Sequence, residues 1–130
     1  LGTIEEVIHL DTNCLVALTS VHVPGRPRLL AWLQGGAQFA TSAVAWSEFL
    51  NGPVPAQDIR NAMGILQGRI LPFAASEAAM AANLFNRTGR RRGSSPDCFI
   101  AATAICARAP LATDNRKDFA RFAPWGLQLA

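Results

Sequence analysis

Nine acidic residues occur in this chain of 130, and five of them stand where a carboxylate beside apolar sequence could hold a cation or activate water. Asp11 directly follows the apolar stretch VIHL, and Asp97 comes early in SPDCFIAATAICARA. Asp114 and Asp118 follow LAT in LATDNRKDF, and Glu48 is the one carboxylate of AVAWSEFL. Each has an ordinary use when taken alone. Asp11 suits a helix cap, Asp97 complements a helix dipole, Glu48 fits an exposed helix face, and Asp114 and Asp118 suit turns. Gathered in one cleft they need another explanation. Two unit charges ~5 Å apart repel by about 3 kcal/mol at an effective dielectric near 20, so such a group requires a counter-charge. A divalent cation supplies one. Oxygen donors without His or Cys favour Mg²⁺ or Mn²⁺ over zinc, and such an ion suits water activation and charge stabilisation at a phosphate.

The remaining metal-binding residue types do not compete with that reading. His9 and His22 form no ligand pair, and Cys14, Cys98 and Cys106 are odd in number with no C-x-x-C spacing. Neither a disulfide framework nor a zinc site is expected, and a reduced cytoplasmic setting fits best. Cys98 and Cys106 lie in an apolar helical run and read as small core residues. His9, inside a strand, reads as a satisfied core or strand-end residue.

To bring the carboxylates together, the elements must alternate. VIHL (7–10) reads as a first strand with DTN at its end, and 13–20 as a first helix. RPRLLAWLQGG gives a second helix stopped by Gly35 and Gly36. AQFAT is a second strand, and Ser42 can cap the helix AVAWSEFLNG. AQDIRNAMGILQG is the next helix, RILPF a third strand, and Ser76 opens EAAMAANLFNRT. Ser95 can cap the next helix, with Pro96 at its first position and Asp97 in its first turn. That helix is apolar almost all round and should be buried. LAT (111–113) is a fourth strand, NRKDFARF one or two helical turns, and LQLA a short final strand. The alternation argues for one α/β domain over 1–130, with a mainly parallel sheet of four to five strands. In such sheets ligands bind outside the carboxyl ends of the strands, which is where Asp11, Asp114 and Asp118 fall.

Charge adds a second feature. The net charge is +3, and Lys117 is the only lysine among twelve basic residues. Arg87, Arg90, Arg91 and Arg92 crowd into NRTGRRR just before Asp97. Arginine makes bidentate phosphate contacts, so a basic loop overhanging the cleft suits an anionic polymer. No uncharged run approaches the ~20 residues needed to cross a bilayer, and Glu5 and Glu6 stand where a secretory signal needs positive charge. A soluble, unexported protein is expected.

HLDTNCL, AWSEFLNG, SPDCFIAATA and LATDNRKDF, in that order, resemble the PIN-domain family, and more narrowly its VapC-like toxin ribonucleases. The resemblance spans essentially the whole chain from Val7. It implies a twisted, mainly parallel sheet sandwiched by helices, and Mg²⁺- or Mn²⁺-dependent endonucleolytic cleavage of RNA. It matches Asp11, Glu48, Asp97 and Asp118 to the family's acidic ligands, with Thr113, Asn115 and Asn13 as polar supports. Many members carry an aspartate where this chain has Asn115, and Asp114 is adjacent, so the fourth ligand is Asp118 in preference to Asp114. An antitoxin partner and a homodimer are also implied, with Leu29, Leu30, Trp32 and Leu33 of RLLAWL available for self-association or, more simply, for the core.

Two other readings compete. A phosphatase-type domain using Asp11 as nucleophile lacks an acidic residue two positions on, where Asn13 stands, and a well-placed lysine. A non-catalytic PIN-like module that binds RNA or a protein is left open by Asn115, and would bind without turnover.

Overall fold

Short β-branched or apolar strands feed directly into helices, and the cap residues at the junctions fix where each helix begins. The computed structural model describes residues 6–130. The domain assigned to 1–130 is thus seen from Glu6, and Glu5 lies outside the described residues. Strand β1 (Val7–Leu10) ends at Asp11, whose extended backbone and side chain cap α1 (Thr12–Thr19). Helix α2 (Arg26–Gln34) precedes β2 (Gln38–Ser42), and the Ser42 hydroxyl accepts from Ala45 N at 2.9 Å to cap α3 (Ala43–Asn51). Then come α4 (Ala56–Leu66), β3 (Ile70–Leu71), α5 (Ala75–Arg87) and α6 (Ser95–Ala107). Strand β4 (Leu111–Ala112) leads to α7 (Arg116–Phe119), which runs into a 3-10 helix (Ala120–Trp125). Gly126 closes that helix at φ 106°, a left-handed backbone that glycine adopts without strain.

The strands form one sheet in the order β3-β2-β1-β4, with every pairing parallel. β1 pairs with β2 on one side and with β4 on the other, so the chain reverses its direction across the sheet at β1. Crevices at such switch points open at the carboxyl ends of the strands. Here the register sets Leu10 beside Ala112, and Asp11 N donates to Ala112 O at 3.0 Å. The parallel α/β fold expected from the alternation is the one found.

Several boundaries differ from the sequence expectation for local reasons. α1 begins at Thr12 rather than Asn13, because Asp11 itself caps it. Ser76 lies within α5, not at its cap: Glu77 reaches back to accept from Ala74 N at 2.9 Å, and the helix starts two residues earlier, at Ala75. Ser95 is the first helical residue of α6; Ser94 precedes it and uses its hydroxyl on Arg91 O instead of the helix. The final strand reduces to a single bridge between Leu129 and Leu111, so the sheet has four strands.

The core lies on both sides of β1 and β2. α6 packs against α5 and reaches β2 and α3, while α1 contacts α2, α3 and α4. Along α6, Cys98, Ile100, Ala101, Ala102, Thr103 and Ala104 are buried, which is why that helix shows no polar stripe. Its small residues permit close approach. Cys98 is buried as expected, but Cys106, in the last turn of α6 after the buried run ends at Ala104, is exposed. From RLLAWL, Leu29 is buried and Trp32 and Leu33 pack against the core.

Candidate active site

Asp11 is 6% exposed at the end of β1. Its carboxylate accepts from Thr12 N at 2.7 Å through one oxygen and from the Thr113 hydroxyl at 2.7 Å through the other. The Thr113 hydroxyl in turn accepts from Asn115 N at 2.9 Å. One buried threonine therefore ties the end of β1 to the loop after β4. Two donors on one carboxylate fix its orientation, although burial wins on balance: the Asp11 carboxyl is raised above the usual carboxylate range, first by desolvation and further by Glu48 and Asp114, while the two hydrogen bonds oppose this.

Glu48 projects from α3 and accepts from the Thr12 hydroxyl at 3.0 Å. Thr12 thus contacts both Asp11, through its N–H, and Glu48, through its side chain. This residue was not singled out in the sequence, yet it is the physical link between the two carboxylates; the residue following a strand-end aspartate is the signal that could have found it. Asn13, the expected support, is exposed on α1, and Thr12 and Thr113 make the contacts assigned to it.

Asp97 sits in the first turn of α6, where the helix dipole favours a negative charge. Its carboxyl is also raised, first by burial and then by the charge of Asp11, with Asp118 adding to the effect and Arg121 and Arg91 opposing it. Asp118, in the short α7, accepts from Asn115 Nδ2 at 3.0 Å and lies 3.8 Å from the Arg91 guanidinium. Asp97 lies 3.8 Å from Arg121. Arg121 was missed from the sequence altogether. Asp114 is exposed and turns toward the start of α2, where a Cβ built on Gly25 would come within 3.1 Å of its carboxylate; the two neighbouring aspartates therefore face different groups.

Asp11 feels the charge of Glu48 and Asp114, and Asp97 that of Asp11 and Asp118, but the carboxylates are held apart. Among the described residues no three acidic, histidine or cysteine side chains converge as a ligand set. The donors are carboxylate oxygens throughout, the chemistry that a hard divalent cation takes. Cys14, beside the crevice, donates to Ala112 O at 3.4 Å. Burial pushes its thiol up to about 12, which makes it an inert core group.

The basic segment joins α5 to α6 and is anchored at both ends. Arg90 N donates to Phe85 O at 3.0 Å, and the Ser94 hydroxyl donates to Arg91 O at 2.7 Å. Arg91 reaches Asp118, whereas Arg87, Arg90 and Arg92 are exposed without an ion-pair partner among the described residues.

A PIN domain family model matches residues 8–123. Comparison with curated protein sequences gives no match. Among solved structures, a chain from a toxin-antitoxin complex of Klebsiella pneumoniae is 30% identical with a TM-score of 0.69, over 87% of this chain and 90% of that one. A chain of VapBC-1 from nontypeable Haemophilus influenzae is 25% identical with a TM-score of 0.65, over 95% and 96% of the two chains. FitAcB from Neisseria gonorrhoeae, 24% identical, shares the fold with a TM-score of 0.71 over 95% and 96%. A buried aspartate at the switch point, a family match from β1 through the 3-10 helix and these full-length likenesses agree: the chain belongs to the PIN domain family and is VapC-like within it.

Proposed function

We propose that this protein is a divalent-metal-dependent endoribonuclease, the toxin of a toxin–antitoxin pair, hydrolysing RNA phosphodiester bonds at the crevice of Asp11, Glu48, Asp97 and Asp118. The observation that carries this reading is the electrostatic strain at Asp11 and Asp97, two partly desolvated carboxyls at the carboxyl end of a parallel sheet, each raised further by the charge of other carboxylates in the crevice. Groups with such perturbed proton affinity in a cleft mark functional sites. Asp11, Asp97 and Asp118 would hold Mg²⁺ or Mn²⁺, with Glu48 beside them. A bound divalent ion supplies charge to the scissile phosphate and acidifies water for in-line attack.

The chain's own residues perform the other tasks. Thr113 and Thr12 hold Asp11 with both oxygens committed, so that its orientation is set before substrate arrives. Glu48, fixed by one hydroxyl at 3.0 Å, keeps lone pairs free and can accept a proton from attacking water. Asn115 orients Asp118 in the same way, through its side-chain amide. Arg87, Arg90 and Arg92 present unpaired charge beside the cleft, and Arg91 can leave a solvent-exposed pair with Asp118 to meet a phosphate. Such contacts position an RNA strand without reading its sequence.

The Klebsiella neighbour is a toxin-antitoxin complex and the Haemophilus neighbour is VapBC-1, which supports a cognate antitoxin as this protein's partner; self-association into a homodimer is part of the same proposal. Among the described residues no helix is long and apolar enough to cross a membrane. Three free cysteines accord with a reducing, cytoplasmic setting.

One observation favours a second reading. Asn115 stands where a carboxylate is possible, and among the described residues the acidic groups do not converge, so a non-catalytic PIN-like module that binds RNA or a protein is the alternative. Titrating Mg²⁺ and Mn²⁺ into antitoxin-free protein with single-stranded and structured RNA separates the two. The ribonuclease reading expects metal-dependent cleavage that is lost in Asp97→Asn. Binding without cleavage at any metal concentration would establish the module.

A further inference from the structure

We infer that Arg121 is a positioning residue whose fixed positive charge holds the Asp97 and Asp118 side of the crevice together while no metal is bound, and thereby sets how tightly a divalent ion binds. The inference rests on the metal-site reading above. Arg121 is held from three directions. One guanidinium nitrogen donates to the Asp118 carbonyl at 2.6 Å, another lies 3.8 Å from the Asp97 carboxylate, and the group sits 4.4 Å from the centre of the Phe122 ring. The side chain is 18% exposed, and its Nε is buried without a hydrogen-bond partner.

An orphaned buried donor is unfavourable, so the conformation must be held by what the other two nitrogens and the ring provide. The Asp118 carbonyl and the Phe122 face fix the guanidinium, and the fixed guanidinium then places charge beside Asp97. At 3.8 Å that pair attracts without consuming the carboxylate's lone pairs, which stay available to a second cation. Arg91 faces Asp118 at the same distance, but its side chain is 61% exposed on a loop, where water and salt weaken the attraction. Arg121 is the shielded charge of the two. The same positive charge opposes an incoming divalent ion, so the residue assembles the site and restrains its affinity together.

Melting temperatures of the full chain in chelator, combined with Mn²⁺ calorimetry, test the inference. In chelator, Arg121→Met should melt lower than the parent, and most of that difference should vanish in an Asp97→Asn background. Mn²⁺ should bind Arg121→Met about fivefold more tightly than the parent, whereas Arg121→Lys should stay near the parent in both measurements. Arg121→Gln provides a second neutral variant under the same criteria if the Met variant does not fold. An equal melting decrease with and without Asp97→Asn would overturn the inference, since Arg121 would then only pack on Phe122. Unchanged or weaker Mn²⁺ binding by the neutral variants would overturn it as well. If the parent binds no Mn²⁺, the metal-site reading fails separately, and the chelator cycle alone decides for or against Arg121.

Discussion

Asp11 concentrates several demands in one side chain. It caps α1, accepts from Thr113 and stays beside Glu48, Asp114 and Asp97 in a poorly solvated crevice. A carboxyl raised in the folded state favours folding while it is protonated, and that advantage disappears as pH rises through its folded value. At neutral pH the metal-free protein therefore carries the burial of this charge, with a smaller repulsion from Glu48 and Asp114, as a stability penalty. Asp11→Asn retains a good capping residue and removes the charge, so in chelator at pH 7 it should be more stable than the parent by about 1 kcal/mol, the usual scale of such active-site trade-offs. The difference should shrink on acidification toward pH ~4, near the unfolded carboxyl value, and added Mn²⁺ should stabilise the variant far less than the parent. Urea denaturation with and without chelator measures all three. A less stable Asp11→Asn protein in chelator would show that the two hydrogen bonds outweigh the burial and repulsion of the charge.

Among the elements, those that carry the site were the most legible, because strand ends and helix starts are written locally. The switch from VIHL to Asp11, and from Gln38–Ser42 to the capped α3, follows from residues within a few positions of one another. Interactions across the fold left no such mark. Thr12 reaches Glu48 over 36 positions, and Arg121 lies beyond the last recognisable motif and returns to Asp97 only because the 3-10 helix folds back. Cys106 read as core because the apolar run does not reveal that burial along α6 stops at Ala104. The basic loop between α5 and α6 acts as a unit in the same way. Replacing Arg90, Arg91 and Arg92 with alanine should lower the salt slope of single-stranded RNA binding by about 2, given roughly 0.7 for each phosphate no longer neutralised, with melting temperature little changed. An unchanged slope would remove the loop from the RNA path.

For the whole molecule, the sheet separates two buried ionisable regions. Carboxylates stand at the carboxyl end, while His9 lies within β1, 2% exposed. It is buried, as a core histidine is expected to be, and burial lowers it from 6.5 to about 4. The unfolded chain then binds the proton first, so stability should fall as pH drops from about 6.5 to about 4 and level off below, by about 3 kcal/mol in all. His9→Gln should flatten that part of the stability profile in urea titrations; an unaltered slope would place its origin elsewhere.

The central claim is that carboxylates from four separated stretches of chain form one divalent-cation site. Anomalous scattering from a crystal soaked in Mn²⁺ tests it most directly. The account predicts a peak bounded by Asp11, Asp97 and Asp118 at the carboxyl ends of β1 and β4, absent from Asp97→Asn crystals. A well-ordered soaked crystal with no peak there, or with manganese bound only elsewhere, would contradict it.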